Sequence, residues 1–120
     1  MIEYTVKVYD CGTKEWFLSG KRHREDGPAI EYADGTKEWW LGGRLHREDG
    51  PALERVDGTK MWFLNGERHR EDGPAIEWAD GDKSWYLNGS EVTKQEVMQF
   101  SDMIVEIDGK KYTLEEYKDE

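Results

Sequence analysis

A 23-residue repeat is the sequence feature that most constrains what this chain can fold into. Tryptophan recurs at that step four times, as Trp16, Trp39, Trp62 and Trp85. The segment HREDGPA occurs at 23–29, 46–52 and 69–75, and the fourth unit departs from it after Asn88-Gly89. Repeated units of this size bury their apolar side chains against their neighbours and end in an atypical unit. The pattern therefore predicts an array of four equivalent small units.

Each unit has the pattern of a β-hairpin. Residues 29–33 form a short run that ends at Asp34-Gly35, a dipeptide suited to a two-residue type I′ turn. Residues 36–41 carry aromatic and β-favouring side chains up to Gly42-Gly43, where the chain must turn again. We interpret the charged residues 44–49 as a connector, which ends where Pro51 cannot donate a ladder hydrogen bond. One unit is thus predicted to be one hairpin plus a connector.

Two aromatic rows follow from these hairpins. Neighbouring residues of a strand point to opposite faces of a sheet, so Trp39 and Trp40 should lie on opposite faces. The chain is therefore predicted to be mainly β, a single-layer antiparallel sheet of hairpin repeats with a short C-terminal helix and a hairpin cap. The candidate binding residues are the eight members of the two rows: Trp16, Phe17, Trp39, Trp40, Trp62, Phe63, Trp85 and Tyr86.

The two ends of the chain depart from the repeat. Alternating side chains predict a strand at residues 2–9, which aligns Tyr9 with Tyr32. Thr93 to Glu96 has the pattern of a capping box, and helical spacing follows to residue 101. Residues 103–107 and 110–114 flank an Asp-Gly turn and predict a last hairpin. We divide the chain into an array at 1–92 and a segment at 93–120 that either caps the sheet or docks a partner.

The unit resembles the MORN repeat. The segment from Trp16 to Gly27 has the order W-x-x-x-G-K-R-H with a following glycine, at a step of 23 residues, and the likeness covers residues 10–89. It departs from the family pattern because REDGP delays the glycine after histidine and Thr-Lys-Glu replaces Tyr-x-Gly before the tryptophan. The resemblance implies scaffolding and protein contact rather than catalysis. Arrays with HREDGPA are also similar to repeats encoded by bacteriophages and large viruses, which implies a viral source.

The net charge of the chain limits the classes of molecule that it is expected to bind. The chain holds 27 acidic and 17 basic residues, for a net charge of −10. Phosphate backbones and acidic membranes repel such a chain, so direct binding to nucleic acid or to a membrane is disfavoured. The single cysteine, Cys11, cannot form an internal disulfide. We expect a cytoplasmic protein, in the cytoplasm of a bacterial host if a phage encodes it.

The repeated polar residues favour structural roles. Histidines at 23, 46 and 69 lie one unit apart and cannot converge on one metal ion, so each should bond a turn carbonyl and no metal or cofactor is expected. The Arg-Glu-Asp series should form ion pairs between neighbouring turns. An active site needs one asymmetric pocket, which argues against an enzyme. The structural repeat residues are His23, His46, His69, Gly27, Gly50 and Gly73.

Three functions remain open from the sequence. The first is a non-enzymatic protein-interaction module that binds another protein or a second copy of itself. The second is an acidic viral inhibitor of a bacterial defence or nucleic-acid enzyme, acting by nucleic-acid mimicry or by blocking a partner. The third is a protein that sequesters a small ligand, to which exposed rings could stack.

Overall fold

The computed structural model describes residues 3–102, 104–107 and 109–113, with side chains for 3–99 and 109. In chain order its elements are β1 (Tyr4–Val8), β2 (Lys14–Leu18), β3 (Lys21–Arg22), β4 (Ile30–Glu31), β5 (Lys37–Glu38), β6 (Trp40–Leu41), β7 (Arg44–Leu45), β8 (Leu53–Glu54), β9 (Lys60–Met61), β10 (Phe63–Leu64), β11 (Glu67–Arg68), β12 (Ile76–Glu77), β13 (Lys83–Leu87), β14 (Ser90–Val92), α1 (Lys94–Asp102), β15 (Ile104–Ile107) and β16 (Lys110–Thr113). The predicted fold class is confirmed: the chain is mainly β, with an antiparallel single-layer sheet and a short C-terminal helix.

The Asp-Gly turn is longer than predicted. The N–H of Tyr32 donates to the carbonyl of Thr36 at 2.9 Å, and the N–H of Gly35 donates to the carbonyl of Tyr32 at 3.0 Å. Only Gly35 has a positive φ, at 99°, whereas a type I′ turn needs two such residues. The prediction of a type I′ turn here was wrong. The loop has three residues and ends in a glycine bulge, stabilised by a bond from the Thr36 N–H to the Asp34 side chain.

The type I′ turn lies instead at the other end of the second strand. Gly42 and Gly43 both have positive φ, at 59° and 83°, and the equivalent pairs of the other units share this conformation. A type I′ turn directs the chain back along the strand it has left. Arg44 and Leu45 therefore form a third strand, β7, which pairs with β6. The prediction of one hairpin plus a connector was wrong, because a unit contains three short strands.

The second strand is interrupted at its tryptophan in the middle units. Its first half, β5, pairs with β4 of its own unit and with β8 of the next. Its second half, β6, pairs with β7 and receives a backbone bond of 3.1 Å from the Arg24 N–H of the preceding unit to the Trp40 carbonyl. The second unit is thus hydrogen-bonded to the next unit before Trp39 and to the preceding unit after it. The long sheet runs in the order β1-β2-β4-β5-β8-β9-β12-β13-β14.

The core is thin and lies in the middle of the array. Three equivalent alanines, Ala29, Ala52 and Ala75, are completely buried. Trp39, Leu45 and Tyr86 pack against a buried cluster formed by Ala52, Leu53, Met61, Phe63 and Ile76. Each aromatic row therefore contributes to the same core, and the rings of the rows are half-buried or buried.

The two ends of the chain differ in secondary structure. The predicted N-terminal strand is β1, and Met1 and Ile2 lie outside the described residues. The predicted helix is α1, whose Glu96 N–H donates to the Thr93 hydroxyl at 3.1 Å. The last hairpin is β15 with β16, while residues 103, 108 and 114–120 of the predicted segment lie outside the described residues.

Candidate functional site

An arginine covers the tryptophan in each of the first three units. The guanidinium carbon lies 3.9 to 4.0 Å from the indole ring centroid in three equivalent pairs, Arg24–Trp16, Arg47–Trp39 and Arg70–Trp62. A cation at this distance from a ring face is attracted by the electrons of the ring. These three predicted binding residues are therefore occupied by contacts within the chain.

The HREDGP loop holds each guanidinium in place, as the second unit illustrates. Arg47 donates from Nε to the Asp49 carboxylate at 3.0 Å and from Nη1 to the Pro51 carbonyl at 3.1 Å. Its Nη1 also lies 3.6 Å from the Glu54 carboxylate on the following strand. We predicted ion pairs between neighbouring turns, and this was wrong because each arginine pairs with the aspartate of its own loop.

The glycine of the same loop is needed for close approach. A Cβ atom added to Gly50 would lie 3.1 Å from the guanidinium carbon of Arg47, and the distances are 3.0 Å at Gly27 and 2.8 Å at Gly73. None of these glycines has a positive φ. Glycine is favoured here because the guanidinium lies between the loop backbone and the indole ring.

The histidines join one unit to the next. The Asn65 N–H donates to Nδ1 of His46 at 2.9 Å, and Gly42 and Asn88 donate at 2.8 Å to His23 and His69. We predicted a bond from histidine to a turn carbonyl; the structure has the bond in the opposite direction, with the ring as acceptor. Since Nδ1 accepts, Nε2 carries the proton of the neutral ring, and it faces the glutamate of the same loop at 3.3 to 3.5 Å.

The fourth tryptophan lies beside a cavity that the helix also lines. Trp85 lines a cavity of about 420 Å³ together with Pro74 and with Lys94, Val97 and Met98 of α1. Val97 is only 2% exposed. The helix therefore occupies the end of the array, where the unit has no HREDGPA loop.

Positive side chains also lie over the other predicted row, which consists of Phe17, Trp40, Phe63 and Tyr86. The charged atom or carbon lies 4.8 to 5.8 Å from the ring centroid in four pairs: Lys7 with Phe17, Arg22 with Trp40, and Arg68 with both Phe63 and Tyr86. Phe63 is buried. The structure therefore brings the eight predicted residues together as packing, and leaves none of them as a freely exposed ring.

Exposed aromatic side chains also form a different row, which lies shortly before the Asp-Gly or Cys-Gly turn. Tyr9, Tyr32 and Trp78 are 43%, 37% and 39% exposed, and Arg55 occupies the equivalent position of the third unit. We call these four residues the turn row. These positions also repeat at a 23-residue step in the sequence. Their residue type varies, whereas the tryptophan step has the same residue in all four units.

Hydrogen bonding fixes part of the turn row. The hydroxyl of Tyr32 donates to the Glu38 carboxylate at 3.0 Å, and the other oxygen of Glu38 accepts from the Trp40 indole at 2.9 Å. Partial burial, followed by the bond and the charge of Glu38, raises the pKa of Tyr32 to about 12. The phenol therefore stays neutral, with its ring held against the sheet.

The face of the sheet opposite to the turn row carries alternating charges. Along the strands, Lys14, Lys37, Lys60 and Lys83 pair in register with Glu31, Glu54 and Glu77. Each lysine between two units thus has a glutamate on either side, and opposite charges on neighbouring strands attract. This face is balanced in charge and contains no exposed aromatic ring of the turn row.

The connector loops present the exposed acidic groups. The side chains of Asp26 and Asp49 are both 87% exposed, and that of Glu48 is 84% exposed. A cleft of about 640 Å³ lies between the first two loops and contains Trp39. The carboxylates therefore line one edge of the array, each aspartate beside its arginine.

Several kinds of site are absent from the described part of the chain. No three side chains among its His, Cys, Asp and Glu residues come together as a metal site. Cys11 is exposed, and a hydrogen bond to the Thr13 hydroxyl lowers the pKa of its thiol. Within the described residues we find no helix with the length and hydropathy needed to cross a membrane.

Comparison with known proteins returned no match to any protein-family model, curated protein or solved structure.

Proposed function

We propose that this chain is a non-enzymatic protein-interaction module built from MORN-like repeats, and that the turn row is its contact surface. The observation that carries the proposal is the exposure of Tyr9, Tyr32, Arg55 and Trp78 at four equivalent positions. Tyrosine, tryptophan and arginine are the residue types that contribute most to binding free energy in protein interfaces.

The dimensions of the turn row suit a protein segment. Equivalent positions of successive units are two strands apart, so they are separated by about 10 Å and the row extends for about 30 Å. The bond from Tyr32 to Glu38 restricts one of the rings before any partner arrives. A restricted ring loses less conformational entropy on binding, which favours affinity.

The repeated polar residues make structural contacts, and we propose no catalytic role for them. Arg24, Arg47 and Arg70 make the same bonds in each of three loops, and each loop histidine accepts a backbone N–H. These groups account for the stability of the loops. The turn row takes no part in these loop contacts and stays exposed.

Affinity capture with paired variants tests the contact surface. The tagged chain and the triple variant Tyr9→Ser, Tyr32→Ser, Trp78→Ser are exposed to bacterial lysate, chosen because of the resemblance to phage-encoded repeats. The control is Lys37→Ser with Lys60→Ser, which removes exposed side chains from the opposite face. We expect a partner that the control retains and the triple variant loses. Equal retention by both variants would contradict the proposal.

An acidic inhibitor is the second candidate, and the exposed carboxylates along the connector edge favour it. Asp26, Glu48 and Asp49 are more than four-fifths exposed, and they repeat with the units. A partner that recognises them as it recognises phosphate would dissociate as salt is added, because salt screens exposed charges. Capture that persists in high salt and depends on the turn row would count against this candidate.

A further inference from the structure

The first strand has one unpaired edge. β1 pairs with β2 from Tyr4 opposite Leu18 to Val8 opposite Lys14, and among the described residues no strand pairs with its other side. The N–H of Tyr9 donates to the Thr13 carbonyl on the β2 side, and successive residues of a strand alternate in direction. The backbone groups of Tyr4, Val6 and Val8 therefore point away from the sheet.

This edge lacks most of the features that usually block strand addition, and Lys7 is the one charged residue of β1. β1 has five residues, contains no proline, and exposes Tyr4, Val6 and Val8 by 40%, 44% and 66%. At the other end, β14 has three residues, includes Glu91, and leads directly into α1. Short charged strands and covering helices protect sheet edges, and a long apolar edge invites another strand. Of the two edges of the long sheet, as far as the structure describes it, the N-terminal one is open in this way.

We propose that β1 pairs with β1 of a second copy of this chain, antiparallel and about a two-fold axis at Val6. In this register Val6 lies opposite Val6 of the second copy, and Tyr4 lies opposite its Val8. All three residues with outward backbone groups then form hydrogen-bonded pairs, which gives six backbone bonds across the interface. The inference deepens the proposed function by naming one partner, and it uses a strand edge that adjoins the turn row at Tyr9.

The side chains of the strand are self-complementary in this register. Tyr4, Val6 and Val8 lie on one face and meet only one another. On the other face Lys7 lies opposite Thr5 of the second copy, with its Glu3 on one diagonal and its Lys7 on the other. No two like charges therefore lie directly opposite each other, and each Lys7 has a carboxylate within reach.

Pairing at this edge keeps the acidic parts of the two copies apart. Residues 3–24 hold five basic and three acidic side chains, a net charge of +2, while the whole chain carries −10. Pairing through β1 places the two acidic C-terminal parts at opposite ends of one continuous sheet. A head-to-tail arrangement would instead require the second edge, which α1 follows.

Charge exchange at the axis tests the register on the purified full chain. Light scattering after size exclusion should give twice the 14.1 kDa of one chain. Val6→Lys and Val6→Glu should each be monomeric, with at least a tenfold weaker self-association, because like charges then meet at the axis. Mixing the two variants should restore the dimer, since only a pairing of residue 6 with residue 6 brings opposite charges together.

Three outcomes would overturn this inference: a wild-type chain that is monomeric at all concentrations, a dimer unaffected by both variants, or variants that do not associate on mixing. Circular dichroism of each variant shows whether the monomer has kept its sheet. The measurement involves no other protein, so its failure leaves the turn row proposal intact. Conversely, loss of lysate capture by the turn row variant has no bearing on the mass of the purified chain.

Discussion

The tryptophan ring has different surroundings in the first three units and in the fourth. In the former, the tryptophan is covered by an arginine that the loop aspartate, the proline carbonyl and the close glycine hold in place. In the fourth, Trp85 shares a cavity with Val97 and Met98 of α1. All four indole rings are half-buried, and an HREDGP loop supplies the arginine that covers the first three.

The difference shows why the motif is lost where it is. An HREDGP loop extends into a strand that belongs to the next unit, as Pro28 leads into β4 and Pro51 into β8. After the fourth unit there is no further unit to receive such a strand. A helix can end the array because it satisfies its own backbone groups. The four predictions below test this comparison, from the largest expected effect to the smallest.

Placing a charge under the helix should have the largest effect. Val97→Asp buries a carboxylate at a position that is 2% exposed, so we expect the free energy of unfolding to fall by about 3 kcal/mol or more. The matched control is Met98→Asp, at a position that is 56% exposed, which should cost less than about 0.5 kcal/mol. Denaturant unfolding followed by tryptophan fluorescence measures both. Equal losses would mean that α1 does not cover the fourth unit.

Removing one arginine cover should have the next largest effect. Arg47→Ala loses the contact with the Trp39 ring and the bonds to Asp49 and Pro51, and we expect a loss of about 2 kcal/mol. Arg55→Ala, in the exposed turn row, is the control and should change stability by less than about 0.5 kcal/mol. Thermal and denaturant unfolding of the two variants would distinguish the roles. A neutral Arg47→Ala would show that the indole needs no cover.

Removing one bond between units should cost less. His46→Phe keeps a planar ring but loses the acceptor for the Asn65 N–H, and we expect a loss of about 1 kcal/mol. Glu48→Gln alters the exposed partner of the same ring and should cost less than about 0.5 kcal/mol. Denaturant unfolding measures both changes, and hydrogen exchange at Asn65 shows whether the lost bond is the cause. Unchanged exchange in His46→Phe would contradict the assignment of Nδ1 as the acceptor.

Alkaline pH should reveal the smallest effect, at the turn row. Because the pKa of Tyr32 is raised from 10.0 to about 12, the folded chain holds the phenol proton more tightly than the unfolded chain does. The stability from this residue is complete below pH 10.0 and is lost as the pH rises through about 12. Tyr32→Phe should therefore lose less stability than the wild type over that range.

The control for this prediction is Glu38→Gln, which keeps Tyr32 but replaces the carboxylate that accepts its hydrogen bond. It should lower the pKa of Tyr32 only partly, because burial is the larger cause of the shift. Phenolate absorbance and unfolding free energy, measured on all three proteins, provide the comparison. Identical pH dependence in the wild type and Tyr32→Phe would be evidence that Tyr32 is not held against Glu38.

Local patterns explain which parts of the fold could be predicted. The repeat step, the strand on either side of Asp34-Gly35 and the helix after Thr93 follow from residues adjacent in sequence. The third strand could not be read in the same way, because Arg44 and Leu45 have a charged, connector-like context. It depends on the positive φ of two successive turn residues, Gly42 and Gly43, which the sequence permits but does not require.

The candidate site was harder to predict for the same reason. The tryptophan step indicated an aromatic surface, but a periodicity does not reveal which rings are covered. That depends on where Arg47 lies in three dimensions, eight residues after the ring it contacts. Tyr32 and Trp78, by contrast, remain 37% and 39% exposed in the assembled array. Burial is a property of the assembled units, so the periodicity alone could not show that the eight predicted rings are half-buried or buried.

The sequence by itself determined that this protein is a β-hairpin array of four units with an atypical end, because identical segments at one step must adopt the same local structure. Only the tertiary structure decided what the HREDGPA residues do. Its arginine, glycine and histidine act through contacts with a preceding ring, a loop backbone and the next unit's turn. The contacts of the arginine with the ring and of the histidine with the turn join residues that are 8 and 19 positions apart, and their geometry exists only once the neighbouring strands have paired.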